Sequence, residues 1–196
     1  KIYKNFFSIL IIFLFVAPLS KADDIRDFQI KGVSVGDSVL DHTIFKNSKK
    51  GILPYKNEKY SASFIKLKTG IYDEIEINYL KKDKKKIIET ISGKKFYDNI
   101  GECLKQKKII ENELSNLYQN LKSRSEKKSH SADPSKKSMA YLFEFNFPEG
   151  HVIQVACTDW VKHTDLNGKI RNYRDSLSVS ISLTSFVDFV LNDAWK

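Results

Sequence analysis

The fold is decided by residues 141–158, YLFEFNFPEGHVIQVACT. Tyr141, Phe143, Phe145 and Phe147 recur at every second position, the period at which side chains leave a strand on one face. Pro148, Glu149 and Gly150 then supply turn chemistry, and from His151 to Thr158 the alternation resumes with Ile153, Val155 and Cys157 together. Two such runs joined by a short turn predict an antiparallel hairpin with one apolar face and one polar face.

Downstream, Leu177, Val179, Ile181 and Leu183 alternate with four serines, before Thr184 is expected to cap a short helix running through Trp195. Upstream, Tyr60 to Leu67 reads as a strand. Ile75, Ile77 and Tyr79 alternate with Glu74, Glu76 and Asn78, and the Lys81 to Lys86 turn returns the chain through Ile87 to Ile91. Phe28 to Val33 reads as a short strand and Asp37 to Phe45 as a short helix. One segment breaks the period of two: from Asn99 to Leu121, with Asn99 as N-cap and Glu102 three residues on, apolar residues fall at helical spacing. The expected class is therefore α+β: an antiparallel sheet wet on one side, one amphipathic helix on its other face, and short N- and C-terminal helices. Lys122 to Ser138 has no periodicity and reads as a long mobile loop within a single domain over 23–196. The aromatic stripe reads as core, because the basic, glycine-containing pattern of a base-stacking platform is missing, and no nucleic-acid partner is expected.

Lys1 and Lys4, the apolar run Phe6 to Ala17 and the small-residue pattern Ser20-Lys21-Ala22 have the order of a secretory signal peptide, residues 1–22. The run is shorter than the roughly 18 to 20 residues that span a bilayer, so cleavage after Ala22 and no transmembrane helix thereafter are expected. This predicts a periplasmic or secreted protein. Cleavage takes the formal charge from +9 to +6 by removing Lys1, Lys4 and Lys21. The remaining basic charge clusters at Lys81 to Lys86 and at 122–138, which suits an anionic surface or simply two solvated segments. An unknown envelope protein or an anionic surface is the expected partner.

In an oxidising compartment the only two cysteines, Cys103 and Cys157, read as one disulfide, since the helical and strand periods turn both inward. Two separate buried thiols are the alternative. No metal and no cofactor are expected. His163, Asp165, Asn167 and Gly168 fall on positions 1, 3, 5 and 6 of a calcium-loop register, but position 1 is His and Arg174 stands where its bidentate Glu is required.

The helix-entry turn Gly36-Asp37-Ser38, followed by Val39, resembles the N-terminal block of the GDSL (SGNH) hydrolases. That resemblance implies Ser38 as a nucleophile, which needs a base and an oxyanion hole. The family's Asp-x-x-His does not occur, Asp159 to His163 having one residue too many, and Asn192-Asp193 lacks the preceding Gly of its Gly-x-Asn-Asp block. From the residues themselves, Gly36 makes the turn and Asp37 or Ser38 caps the following helix. The longer opening Gly-Val-Ser-Val-Gly-Asp-Ser, Gly32 to Ser38, also resembles uncharacterised exported bacterial proteins and, more loosely, the SmpA/BamE-like small envelope proteins. The latter likeness implies an outer-membrane assembly role, though the lipidation Cys of that family is missing. The expectation is an exported, non-enzymatic binding or envelope-associated protein, with a small secreted serine hydrolase as the alternative.

A two-residue turn at Asn167-Gly168 would set Cys157 opposite Ser178, on the serine face. The apolar partners forbid that register, so a bulge or irregular break is expected between Asp159 and Asp175. It would aim Trp160, His163 and Tyr173 out of the ladder, as a candidate recognition surface.

Overall fold

The computed structural model describes residues 25–51, 53, 55–165, 168–194 and 196. The signal segment 1–22, Asn167 of the expected turn and Trp195 of the expected terminal helix lie outside the described residues.

The strands are β1 (Lys49–Gly51), β2 (Tyr60–Lys66), β3 (Glu74–Leu80), β4 (Ile88–Tyr97), β5 (Lys122–Ser129), β6 (Met139–Asn146), β7 (Val152–Asp159), β8 (His163–Thr164), β9 (Ile170–Arg171) and β10 (Asp175–Ser182). Helix α1 (Ile100–Leu117) follows β4, and α2 (Thr184–Asn192) follows β10. Eight strands form one antiparallel sheet in the order β1-β2-β3-β4-β10-β7-β6-β5, and β8 and β9 form a separate two-stranded ladder. The α+β expectation is thereby corrected: this is a predominantly β fold built on one large sheet, with two α-helices among the described residues. The missed strands are the sheet's margins. Lys122–Ser129, expected as a loop, pairs along its whole length with β6, while nearly all its side chains are exposed. An edge strand exposed in this way has no apolar alternation to read, and its lysines discourage a further strand from pairing.

Smaller corrections have equally local causes. Phe28 to Val33 holds a single bridge, Ile30 with Val33, and not a strand. Asp37 to Phe45 is two one-turn 3-10 helices, Val39–Asp41 and Thr43–Phe45, with no continuous helix. Leu183, without a side-chain cap bond, occupies the N-cap of α2, while the Thr184 hydroxyl donates to the Glu149 carbonyl at 2.6 Å. Asn99 does cap α1, accepting from the Glu102 N–H at 3.1 Å.

Cross-strand register sorts the side chains. Ile77, Ile91, Ile181, Ile153 and Phe145 face one another in a row across five strands, and Val179 and Val155 continue the same face. Helix α1 packs on this face against β4, β10 and β7, and Cys103 is bonded to Cys157 with Cα atoms 6.0 Å apart. Gly93 also lies on this face, and a Cβ there would sit 2.7 Å from the Tyr72 ring. Ile25, Ile30, Val33 and Phe45 of the N-terminal segment close the same core. The helix face is not uniformly apolar: Lys107 and Glu111, both buried, form an i,i+4 ion pair, with Lys108 joining at 3.4 Å.

Cys157 faces Leu177 and Val155 faces Val179, as the apolar partners require. The break between Asp159 and Asp175 exists, but the register is unchanged across it, since His163 pairs with Arg171. The Asp165 N–H donates to the Lys169 carbonyl at 2.9 Å in that same register, so no residue is added on either strand and the expected bulge is absent.

Candidate functional site

The opposite face of the sheet carries polar rows in register. Glu76, Ser92, Ser180, Gln154, Glu144 and Arg124 form one row across six strands, and Asn78, Thr90, Ser182, Val152 and Asn146 form the next. Helix α2 lies over this side, and Phe186, Val187 and Val190, with Tyr55, make an apolar wall along the polar floor. The groove so enclosed has a volume of about 540 Å³, within the range of small-molecule sites.

A bulge fixes α2 there. Asn78 pairs with Thr90 and Tyr79 with Ile88, so Glu89 is the extra residue. Its buried carboxylate accepts from the Tyr60 hydroxyl at 2.5 Å and from the Ser185 hydroxyl at 2.7 Å, joining β2, β4 and the first turn of α2. Tyr60, Phe186 and Phe189 then pack edge-on and tilted around that link. Burial, with Glu89 adding its hydrogen bond and charge, raises the Tyr60 hydroxyl pKa well above the usual tyrosine value. Burial, reinforced by Glu76, also pushes Tyr55 up to about 12.

The charges of the floor are paired internally. Lys94 Nζ lies 2.8 Å from Glu76 and 4.0 Å from Glu74, and Arg124 lies 2.9 Å from Glu144. Gln154 Nε2 donates to the same Glu144 at 2.6 Å, and the Thr90 hydroxyl donates to that of Ser182. At Glu74 desolvation outweighs the pull of Lys94 and raises the carboxyl pKa. One atom stands apart: Asn78 Oδ1, in a side chain only 3% exposed, has no hydrogen-bond partner among the described residues. An unmade bond to a buried polar atom costs about 1–3 kcal/mol.

Ser38 lies away from this groove. Its Oγ donates to the Lys85 carbonyl at 2.7 Å and accepts from the Leu40 N–H at 3.1 Å, capping the 3-10 turn Val39–Asp41. Asp37 accepts from the Ser34 N–H at 2.9 Å and meets His42 Nε2 at 2.9 Å. Gly36, at φ +88°, takes the left-handed conformation that makes the turn.

Trp160, His163 and Tyr173 are brought together, with ring centroids 4.9–6.0 Å apart, and His130 adds a fourth ring 4.3 Å from Trp160. His163 is buried, its Nδ1 bonded to the Val161 carbonyl at 2.8 Å, and its Nε2 has no partner among the described residues. His130 comes from the segment read as loop, where buried Asp133 accepts from the Ser135 and Ser138 N–H groups at 2.8 Å. Desolvation opposes ionisation of Asp133, but these bonds and the Ser135 and Ser138 hydroxyls outweigh it and hold the carboxyl well below its ordinary range. Burial, then repulsion from His163, lowers the His130 pKa against the pull of Asp133.

The groove was not anticipated from sequence. The usable signal was the serine strand, since two of its four hydroxyls, those of Ser180 and Ser182, become groove floor only when their partners, Gln154 and Val152 on one side and Ser92 and Thr90 on the other, are known. No helix among the described residues is long and apolar enough to cross a membrane. No protein family, curated protein or solved structure matches the chain.

Proposed function

We propose that this is an exported, non-enzymatic binding protein of the periplasm or extracellular space, and that the groove under α2 is its ligand site. The observation that carries the reading is Asn78, which lines a cavity of ligand size and whose buried Oδ1 has no partner among the described residues. The Cys103–Cys157 bridge supports an oxidising compartment, in agreement with the leader-like order of residues 1–22. The hydrolase alternative needs a base on the Ser38 hydroxyl. That hydroxyl donates to a carbonyl, and His42 is engaged with Asp37.

A ligand that binds only the folded state raises its melting temperature by mass action. Screening small molecules by thermal unfolding should find compounds that stabilise the parent protein and lose that effect in Ser180→Val, a change in the middle of the floor. Stabilisers that act equally on parent and variant, or none at all, would contradict the groove as the site. An anionic surface is a second partner class, favoured by the Lys81 to Lys86 turn. Asp83 organises that turn by accepting from the Lys85 and Ile87 N–H groups. Vesicles of anionic lipid should bind in a salt-sensitive way, and replacing those lysines by Gln should weaken binding. Absent or salt-insensitive binding removes that partner.

A further inference from the structure

From the chemistry of the groove we infer that its ligand is an uncharged, hydroxyl-rich ring compound, a short saccharide. The inference rests on the groove being the binding site and adds the class of ligand. Three observations converge. First, the charged side chains on the floor neutralise one another: Lys94 with Glu76 and Arg124 with Glu144. Lys128, at the rim, lies 3.2 Å from Glu126. A site that selected an ion would present one sign of charge free to meet it.

Second, the groups left over are neutral and of both kinds. Asn78 Oδ1 calls for a donor, and Ser182 Oγ, which accepts from Thr90, keeps its own proton for an acceptor. A hydroxyl both donates and accepts, so adjacent hydroxyls on one ring answer both needs at once. Third, the polar floor runs beside an apolar wall from Phe186, Val187 and Val190 of α2. A pyranose has that same division, with hydroxyls around its rim and C–H groups on its faces. An unpaired buried acceptor also makes the site selective, because a ligand unable to donate leaves it unsatisfied.

The test is calorimetric titration of the purified protein with cellobiose, maltose and N,N′-diacetylchitobiose. Cellobionate, glucosamine and a blocked tetra-alanine peptide serve as charged and peptide counterparts. The expected result is binding of at least one neutral disaccharide, with affinity changing less than about twofold between about 50 and 500 mM NaCl. Asn78→Leu should weaken it about tenfold or more without lowering the melting temperature. If that variant does not fold, Ser180→Val should show the same loss. Preferential, salt-sensitive binding of a charged counterpart, or binding of the peptide while all disaccharides fail, overturns the saccharide assignment and leaves the groove as a site. Disaccharide binding unchanged in both variants places the ligand elsewhere. No heat from any probe removes both the assignment and the binding reading beneath it.

Discussion

The two faces of the large sheet share the same strands and the same backbone ladder, yet they are finished in opposite ways. On the α1 side even the charged groups are settled, Lys107 with Glu111, and a disulfide joins helix to strand. On the α2 side the floor is lined with small hydroxyls and amides, a helix of nine residues covers it in part, and one buried acceptor has no partner among the described residues. A strand period of two places these environments one residue apart, so Val179 is core while Ser180 is floor. Stability is concentrated on one side, and unsatisfied chemistry on the other, where a ligand can complete it.

The largest expected effect strengthens this contrast from the α1 side. Replacing Cys103 and Cys157 together by Ala should cost about 4 kcal/mol on the chain-entropy account, for a bond spanning 54 residues. Urea unfolding of the variant and the parent checks it, and equal stabilities would show that the bridge adds nothing to the packing of α1. Next, Glu111→Ala leaves the Lys107 ammonium buried and should cost about 3 kcal/mol, whereas Lys107→Met with Glu111→Leu should be neutral or stabilising. A double variant as unstable as the single one would mean that the pair itself holds the helix in place.

The groove side should respond with the opposite sign. Asn78→Leu replaces an unpaired acceptor by an apolar group of similar branching and should raise stability by about 1 kcal/mol or more. A loss of stability in urea unfolding would show that Oδ1 is already satisfied.

How far this contrast was legible in the sequence follows from what each region must bury. The rows through Ile181 and Ile153, the Asn99 cap and the inward pair Cys103 and Cys157 all follow from periodicity, because a core face admits one kind of residue. Strand β5 was invisible because an edge exposed on both faces places no such demand, and its Ser and Lys content reads as loop. The groove was invisible for another reason: Phe186 is brought to the row of Asn78 and Ser182 only by a bulge at Glu89 and a helix folding back, neither of which has a local pattern. Trp160, His163 and Tyr173 lie together although the register conflict that singled them out does not arise, and His163 is buried and paired within β8; nothing in the sequence pattern pointed to His130.

The smallest effect expected concerns that ring cluster. His130 has a folded-state pKa below its ordinary value, so the unfolded chain binds more protons as pH falls. Its contribution is complete above about pH 6.5 and is lost as pH drops through the lowered folded value. Asp133, also depressed, adds a loss of stability at more acidic pH, below about 3.9. His130→Phe should flatten the fall in urea midpoint between about pH 7 and 5. An unchanged slope would mean that the ring titrates alike in both states.

The most direct test is a titration with a neutral disaccharide followed by NMR of side chains on both faces. The side-chain amide signals of Asn78, Asn146 and Gln154, which line the groove, should shift together and saturate. The methyl signals of Ile77, Ile91, Ile153 and Ile181, on the α1 face of the same strands, should stay in place. Amide signals that do not move, or methyl signals that move in their stead, would contradict the assignment of binding to the polar face.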